Sequence, residues 1–295
     1  MTAKGVRFSV IGLGRVGSSL GPALEEKGWR CVSVYSESSA GESRRIRREL
    51  PGAVILSSME SLQPDFDLLF ITTPDDQIGP TAEKIASLPD FDWRKKVVLH
   101  ASGVIGLDTL ASLKDAGAHT GAFHPISAFA KRYSPSSASH IYYDFLGEKT
   151  AKGMARKIAA LLNARLLILK SDDERQALHL ASVIVSNFTV IGMQASEGLI
   201  SRFIPRSEAK GLLLGLLGST SGNLARVGSG SALTGPLARG DIGVIMAHLK
   251  SLENYPSLSQ FYRSSSLLGV ELLLRSEMDV QKKRRLLKIK RMLEA

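Results

Sequence analysis

The sequence predicts an α/β fold, with a doubly wound parallel sheet in a first domain and a second, all-helical domain after it. Short β-branched runs alternate with longer amphipathic stretches up to about residue 170, a glycine pattern follows the first run, and no credible strand follows Ser171. Strand–helix alternation of this kind is typical of parallel sheets with right-handed crossovers. We therefore expect domains at residues 1–170 and 171–295.

Eight runs rich in β-branched and aromatic residues are predicted as strands of the first domain. They are Val6–Ile11, Cys31–Tyr35, Ala53–Leu56, Phe66–Thr72, Val97–Ala101, His119–Phe123, Ile141–Gly147 and Arg165–Leu169. Helical periodicity predicts helices at Arg15–Lys27, Asp76–Leu88, Leu107–Ala116 and Lys149–Leu162. With 295 residues, of which 44% are hydrophobic, the chain is long enough to bury a core without disulfides or metals.

The second domain is predicted to consist of five helices, with a glycine-rich loop at residues 228–240. The helices are Asp172–Ile200, Ser207–Gly228, Asp241–Leu252, Ser257–Leu274 and Glu277–Leu293. The first of them has no formal charge from Gln176 to Ser196, yet it holds polar residues that hydrocarbon would penalise. We expect a helix buried in a soluble protein, with no membrane partner.

Charge and cysteine content restrict the class of protein. The single cysteine, Cys31, excludes an internal disulfide framework and fits a reducing cytoplasm. The net charge is +10, but seven basic residues lie between Lys282 and Arg291, and without them it would be +3. That segment carries leucines and no aromatic residues, so it suits a helix docked on its own protein or on a dimer mate. We expect no nucleic-acid partner.

The glycine pattern lies where a strand turns into a helix. It comprises Gly12, Leu13, Gly14, Arg15, Val16 and Gly17. The first glycine permits a tight turn, the second lets backbone N–H groups approach a pyrophosphate, and the third lets the helix pack against the strand. The helix N-terminus adds free N–H donors and a partial positive charge. This is the pattern of a Rossmann dinucleotide site, and a merely structural turn is the alternative.

The end of the second strand distinguishes the two nicotinamide coenzymes. An NAD site usually has an acidic residue there, whereas this strand ends at Ser36, and arginines such as Arg44 follow on the next predicted helix. A hydroxyl and guanidinium groups suit the 2′-phosphate of NADP. Glu37 keeps NAD possible, and the arginines could instead form a solvated helix face.

Further candidates follow the ends of the next strands. Ligands of open α/β sheets bind beyond the carboxyl ends of the strands. We therefore expect two groups of residues along the cofactor: Thr72, Thr73 and Pro74 after the fourth strand, and Ala101 and Ser102 after the fifth. His124, in the sixth strand region, is predicted either to face the substrate or to fix its loop.

The second domain supplies the remaining candidates. At 100° per residue, His179 and Ser186 share a polar arc of the uncharged helix, and Asn187 flanks it. This arc either lines a cleft or belongs to a helix interface. Arg239, Asp241 and His248 lie in and after the second glycine loop, where Arg239 could bind an anionic group and Asp241 could simply cap a helix. The six histidines show no metal-ligand spacing, so no metal is expected.

The order of these motifs resembles a bacterial family of Rossmann-like oxidoreductases whose C-terminal half is a domain of unknown function. The motifs include Gly12–Gly17, Thr72–Asp75, His100–Gly103, Gly121–Pro125, His179 with Asn187, and Leu233–Asp241 with His248. That family is related to pyrroline-5-carboxylate reductase, ketopantoate reductase and the β-hydroxyacid dehydrogenases. The resemblance implies NADP, a helical second domain and a homodimer formed through it.

One departure from the related dehydrogenases concerns the proton donor. They use a lysine with an asparagine one turn later, but here Val183 precedes Asn187 by one turn, and no lysine lies between Lys170 and Lys210. We therefore expect His179 to act as acid or base, with Ser186 and Asn187 orienting the substrate.

Two hypotheses of function follow. The first is an NADP-dependent oxidoreductase that transfers a hydride between nicotinamide and a small carbonyl or imine compound. The alternative is a non-catalytic NADP sensor, which the missing lysine keeps open.

Overall fold

A computed structural model describes residues 5–37, 40–89 and 91–294. The chain divides into two compact units, Met1–Asn187 and Phe188–Ala295. The sheet ends at Ile168 and the helical part begins at Asp172, close to the expected boundary at 170. The division between the two units falls further along the chain, inside helix Asp172–Ile200, because the first turns of that helix contact the sheet unit.

The first unit contains an eight-stranded sheet of order β3-β2-β1-β4-β5-β6-β7-β8. Its strands are β1 (Arg7–Ile11), β2 (Arg30–Tyr35), β3 (Val54–Leu56), β4 (Leu68–Ile71), β5 (Val97–His100), β6 (His119–Ile126), β7 (Tyr142–Gly147) and β8 (Arg165–Ile168). Its helices are α1 (Gly17–Glu25), α2 (Ala40–Glu49), α3 (Asp75–Ala86), α4 (Ala111–Asp115) and α5 (Lys149–Leu161). The predicted α/β fold class is confirmed, and the strand order reverses between β1 and β4, which creates a crevice at their carboxyl ends.

One pair of strands differs from the predicted parallel sheet. β7 runs antiparallel to β6, whereas the other pairs are parallel. A parallel connection needs a crossover element, usually a helix, across one face of the sheet. Between Ile126 and Tyr142 the chain forms only a four-residue 3₁₀ helix, Pro135–Ala138, which packs on α1. The expectation of an all-parallel sheet is therefore wrong for this pair.

Both faces of the sheet are buried. Leu68 and Phe70 of β4 join one core, which α1 and α5 complete, while Leu69 and Ile71 join a second core with α3 and α4. Burial on two faces explains why these strands are continuous apolar runs rather than alternating ones. The alternation also fixes which residues of neighbouring strands share a face.

The second unit is helical throughout its described residues, 188–294. It holds the end of α6 (Asp172–Ile200), α7 (Arg206–Val227), α8 (Ser229–Ala232), α9 (Gly235–Arg239), α10 (Ile242–Ser251), α11 (Pro256–Leu273) and α12 (Val280–Glu294). The region predicted as a loop at 228–240 contains two short helices, because Gly228 and Gly240 take positive φ at its ends and Pro236 starts a helical turn between them. A small core joins α10, α11 and the basic helix α12 through Ile245, Val270 and Leu286.

Helix α6 is far less buried than expected. Only Arg175 of its 29 residues is buried, and Val185 is 74% exposed. The expectation of a buried helix is thus wrong for the single chain, because apolar side chains along the helix are exposed in the part of the chain that the structure describes. Within the described residues, α6 is the one helix whose length and composition would suffice to cross a membrane.

Candidate functional site

The glycine turn after β1 has two glycines that the protein's own packing requires. Gly12 has a φ of +95°, and a Cβ there would lie 2.7 Å from the backbone of Thr72 and Thr73. A Cβ on Gly17 would overlap the carbonyl oxygen of Gly12 and the hydroxyl of Thr72. Both positions therefore bring β1, β4 and α1 into close contact, as the sequence predicts.

Gly14 differs from these two glycines. A Cβ at this position would meet only the carbonyl oxygen of Thr72, at 3.9 Å, so the folded chain itself leaves room for a side chain. No side chain caps the start of α1, whose N-cap is Val16. Free space beside a helix N-terminus with free N–H groups is what a pyrophosphate needs. The turn therefore fits a dinucleotide, with Leu13 buried beneath it and Arg15 exposed above it.

Residues 132–134, in the connection between β6 and β7, support the turn, and no sequence motif predicted this contact. The Ser18 and Ser19 hydroxyls donate to the carbonyls of Gly14 and Arg15, and they accept the backbone N–H groups of Tyr133 and Ser134. The Arg132 guanidinium donates to the Leu13 carbonyl. The connection between β6 and β7 is thus fastened to the glycine turn.

The predicted residues after β4 and β2 differ in whether their side chains already have contacts within the protein. The Thr72 hydroxyl donates to the Gly12 carbonyl, so it holds the turn, whereas the buried Thr73 hydroxyl has no hydrogen-bond partner within the described residues. Pro74 is the N-cap of α3. Ser36 is half-buried at the end of β2, and Arg44 is exposed on α2.

The adjacent part of α2 already has ionic partners. Glu42 pairs with Arg132 and accepts the Tyr133 hydroxyl at 3.0 Å, and the Arg45 guanidinium lies 4.5 Å from the centre of the Tyr133 ring. Burial and the Glu42 carboxylate raise the pKa of Tyr133 to about 12, so this phenol stays neutral.

After β5, Ser102 has a role within its own loop. Its hydroxyl accepts the N–H groups of Val104 and Ile105 at 3.1 and 3.0 Å. The preceding Ala101 is half-buried and its N–H donates to the Ile71 carbonyl. These contacts hold the chain at the carboxyl end of the sheet, beside two histidines.

The register of the sheet brings His100, His124 and Asp144 to one face. Ala122 of β6 lies opposite His100, and His124 is two residues further along β6. His124 in turn lies directly opposite Asp144 of antiparallel β7. Directly paired residues, and residues two apart on one strand, point to the same side. The three side chains therefore share the face that α3 covers, at the carboxyl end of β5.

The central contact of this histidine cluster, defined as His100, His124, Asp144, Arg175 and His179, joins His124 to Asp144. Nδ1 of His124 lies 2.7 Å from Oδ2 of Asp144, and the two side chains are only 15% and 2% exposed. The rings of His124 and His179 are 5.6 Å apart between centroids, edge to face. A Cβ on Gly103 would lie 2.5 Å from Nδ1 of His179 and 3.0 Å from Nε2 of His124. Both rings therefore pack against Gly103 and leave no room there for a side chain.

Arg175 holds the cluster together from α6. It is buried, its Nη1 donates to the Ile105 carbonyl at 2.7 Å, and its Nη2 donates to the Ser102 carbonyl. Its Nε lies 3.6 Å from Oδ1 of Asp144, and its Nη1 also pairs with Asp172 at 3.2 Å. One buried cation therefore neutralises the buried carboxylate and fixes the loop after β5.

The remaining histidines of the cluster favour the neutral state. Burial, followed by the charges of Arg175 and His124, lowers the pKa of His100 to about 3. Its Nδ1 accepts the Ser102 N–H at 3.3 Å, so the proton resides on the buried Nε2. Burial, followed by His124, also lowers the pKa of His179.

The other candidates on α6 lie away from these contacts. Ser186 is half-buried and Asn187 exposed, while the nearby Ser182 hydroxyl donates to the Leu178 carbonyl at 2.9 Å. Only His179 of the predicted polar arc therefore takes part in the histidine cluster.

The three candidates of the second unit are paired within that unit. Arg239 donates to Asp241 at 2.8 Å, and both are substantially exposed. Asp241 occupies the N-cap position of α10 without a capping hydrogen bond from its side chain. Nδ1 of His248 lies 3.0 Å from the Tyr262 hydroxyl.

Sequence reasoning missed three residues of the cluster. His100 was noted only as part of its loop, and Asp144 and Arg175 were not identified at all. A usable signal for Asp144 was present, since it is the one charged residue inside the apolar run Tyr142–Leu146. Among the described residues, no group of three or more histidine, cysteine or acidic side chains could hold a metal ion.

Two family models match this chain. Residues 2–125 match a Rossmann-like domain, and residues 141–268 match the domain of unknown function DUF2520. The resemblance expected from the motifs is confirmed in this respect. A search of curated proteins finds no match.

Solved structures show the same fold at low sequence identity. A provisionally named NADP oxidoreductase from Bacteroides fragilis is 22% identical, with a TM-score of 0.73 over 89% of this chain and 97% of that one. An imine reductase from Myxococcus stipitatus in complex with NADP⁺ is 16% identical, with a TM-score of 0.69 over 91% and 99%. The pyrroline carboxylate reductase of Plasmodium falciparum with NADP bound is 14% identical, with a TM-score of 0.61 over 98% of both chains.

Proposed function

We propose that this protein is an NADP-dependent oxidoreductase that transfers a hydride between nicotinamide and a small carbonyl or imine compound. The observation that carries the proposal is Gly14, which the chain's own packing does not require to be glycine, at the uncapped start of α1. The oxidoreductases and reductases with this fold, two of them solved with NADP or NADP⁺, support it. The bound coenzyme would supply the hydride chemistry.

The candidate residues around the turn support NADP over NAD. Arg44 is exposed on α2 and Ser36 is half-buried at the end of β2. A guanidinium and a hydroxyl suit a 2′-phosphate, which carries two negative charges. The buried Thr73 hydroxyl, which has no partner within the described residues, is a further donor for the coenzyme.

The histidine cluster favours an enzyme over a sensor. A hydride acceptor needs a proton at its oxygen or nitrogen, and a positioned histidine is the commonest source of one. His124 and His179 pack together against Gly103, close to the carboxyl ends of the strands where the glycine turn also lies, and the His124 side chain is 15% exposed. A sensor that only bound the coenzyme would not require a buried Asp144–His124 pair.

Calorimetry with the full chain tests the coenzyme. We expect NADP⁺ to bind more tightly than NAD⁺, and Arg44→Ala to weaken NADP⁺ binding alone. Arg48→Ala is the matched control, since Arg48 lies on the same helix and already pairs with Glu49 at 2.7 Å. Absence of binding of either nucleotide would refute the proposal.

A spectroscopic screen tests the reaction. NADPH oxidation is followed with keto acids and cyclic imines, and we expect turnover with at least one class. A protein that binds NADPH tightly and turns over none of them would be a sensor instead.

We also propose that the protein acts as a cytoplasmic homodimer. Apolar side chains are exposed along α6 and α7, among them Val185 at 74%, Leu212 at 58% and Leu216 at 61%. Exposed apolar side chains in this number mark an interaction site, and a second copy would cover them. Light scattering after gel filtration should give twice the chain mass of 31.8 kDa. A monomer, or recovery only with detergent, would contradict this.

A further inference from the structure

Resting on the proposed function, we propose that His124 is the proton donor of the reaction, that Asp144 and Arg175 position it, and that His179 serves as its neutral neighbour. The sequence pointed to His179 as the acid, because it lies on the first helix after the sheet. The contacts of the two rings favour the other assignment.

The contact with Asp144 fixes the tautomer of His124. An ionised carboxylate only accepts hydrogen bonds, so Nδ1 of His124, 2.7 Å from Oδ2 of Asp144, carries a proton. The second nitrogen, Nε2, is not held by Asp144, and the side chain of His124 is 15% exposed. It is therefore the atom from which a second proton can leave toward a ligand.

The contacts within the cluster distinguish His124 from the two other histidines. The groups that face it are His100 on β5, Asp144 on β7, and Arg175 and His179 on α6, and Asp75 on α3 acts on His179. Of the three histidines, His124 is the one with a carboxylate in contact. His100 is buried without an anionic contact, and the buried Nδ1 of His179 has no hydrogen-bond partner within the described residues.

Asp144 and Arg175 are themselves held in place by their neighbours. Asp144 is opposite His124 in the sheet, and the Arg175 guanidinium donates to the Ser102 and Ile105 carbonyls while its Nε lies 3.6 Å from the second oxygen of that carboxylate, an ion pair without a hydrogen bond. Removal of Arg175 would leave Asp144 free to turn away from the ring.

The bound coenzyme would supply a hydride, with its two electrons, to the carbon of a C=O or C=N bond. The double bond becomes single, and its oxygen or nitrogen takes the proton from Nε2 of His124. The ring is left neutral, with Nδ1–H still bonded to Asp144, and regains a proton from solvent. Oxidation runs through the same steps in reverse.

Kinetics of matched variants test the assignment. We expect His124→Asn to lower kcat by about 100-fold or more, the usual contribution of a general acid, with NADP⁺ affinity within about twofold of the wild type. We expect His179→Asn to lower kcat by less than about tenfold. His119→Asn is the control, because His119 also lies on β6 beside a carboxylate, Glu148 at 3.6 Å, but at the opposite end of the strand.

The pH profile separates a positioning role from a structural one. Asp144→Asn removes the counter-ion, so the imidazolium loses its proton more readily and the basic limb of kcat/KM moves to lower pH. A variant that was merely less stable would have a lower kcat/KM at every pH, and its basic limb would stay at the same pH.

Nuclear magnetic resonance on the nucleotide-free protein gives a readout independent of turnover. We expect nitrogen-15 spectra to show that the neutral His124 ring carries its proton on Nδ1, because this nitrogen contacts Asp144 at 2.7 Å. Asp144→Asn should remove this preference for one tautomer.

Three results would overturn the proposal: a loss in His179→Asn as large as that in His124→Asn, a His124→Asn variant within threefold of the wild type, or a neutral His124 ring with its proton on Nε2. Failure of the wild type to bind NADPH would refute the proposed function instead, and the magnetic resonance data would still decide the tautomer of His124.

Discussion

The glycine turn and the histidine cluster lie at the carboxyl edge of one sheet, yet they are built in different ways. The turn is made by backbone from six consecutive residues, Gly12–Gly17, and its chemistry consists of N–H groups and empty space. The cluster is made by side chains from β5, β6, β7 and α6. The first depends on local conformation, and the second depends on strand register and on a buried ion pair. The two regions should therefore respond differently to substitution.

The largest effect is expected in the cluster. Arg175→Met should lower the free energy of unfolding by about 3–5 kcal/mol, because it leaves the buried Asp144 carboxylate without a cation. Urea unfolding measures this. Arg165→Met is the control, since Arg165 is exposed and its guanidinium contacts the Tyr142 side chain rather than a carboxylate, and it should cost less than about 1 kcal/mol. A loss of similar size in both variants would mean that the buried pair is not what holds the cluster.

The next largest effect is expected at the glycine turn, where a substitution should change ligand affinity rather than stability. Gly14→Ala should raise the Kd for NADP⁺ by about 30-fold or more, roughly 2 kcal/mol, because the methyl group would occupy space needed by the pyrophosphate. The free energy of unfolding should barely change, since a Cβ there meets nothing closer than 3.9 Å.

Calorimetry and urea unfolding on Gly14→Ala are compared with Gly153→Ala. Gly153 lies on α5, and a Cβ there meets nothing within 4 Å. That variant should keep its affinity for NADP⁺. An unchanged Kd in Gly14→Ala would show that no ligand backbone approaches the turn.

The last effect is absent at neutral pH and concerns the pH dependence of stability. The pKa of His100 is about 3 in the folded protein, below its ordinary value of 6.5, so the unfolded state binds more protons between these values. Stability should therefore fall as the pH is lowered through that window, by up to about 1.4 kcal/mol per pH unit. His100→Asn should flatten the slope there and leave a constant difference above pH 7.5. An equal slope in both proteins would contradict a neutral, buried His100.

The difference between the glycine turn and the histidine cluster also decides how much of each could be predicted from the sequence. The turn was identified residue by residue, because glycine, strand and helix signals are local. His124 and His179 were identified as candidates, but not their proximity, because that depends on register across β5, β6 and β7. Asp144 and Arg175 were missed because pairing between distant segments leaves no spacing to recognise.

The fold shows the same limit. Each strand was predicted from its own residues, yet β7 was assigned the wrong direction, although no helix was predicted between β6 and β7. The burial of α6 was overestimated because an apolar helix carries the same pattern whether its own chain or another surface covers it.

The antiparallel pairing of β6 and β7 has a consequence for how this protein can vary. The connecting residues 127–141 can gain or lose length without changing which residues face each other across the two strands. A single inserted residue within either strand, between the connection and the pair, would instead turn Asp144 or His124 to the opposite face of the sheet. Homologous chains that share this chemistry should therefore tolerate insertions in the connection and exclude them from that stretch of the strands.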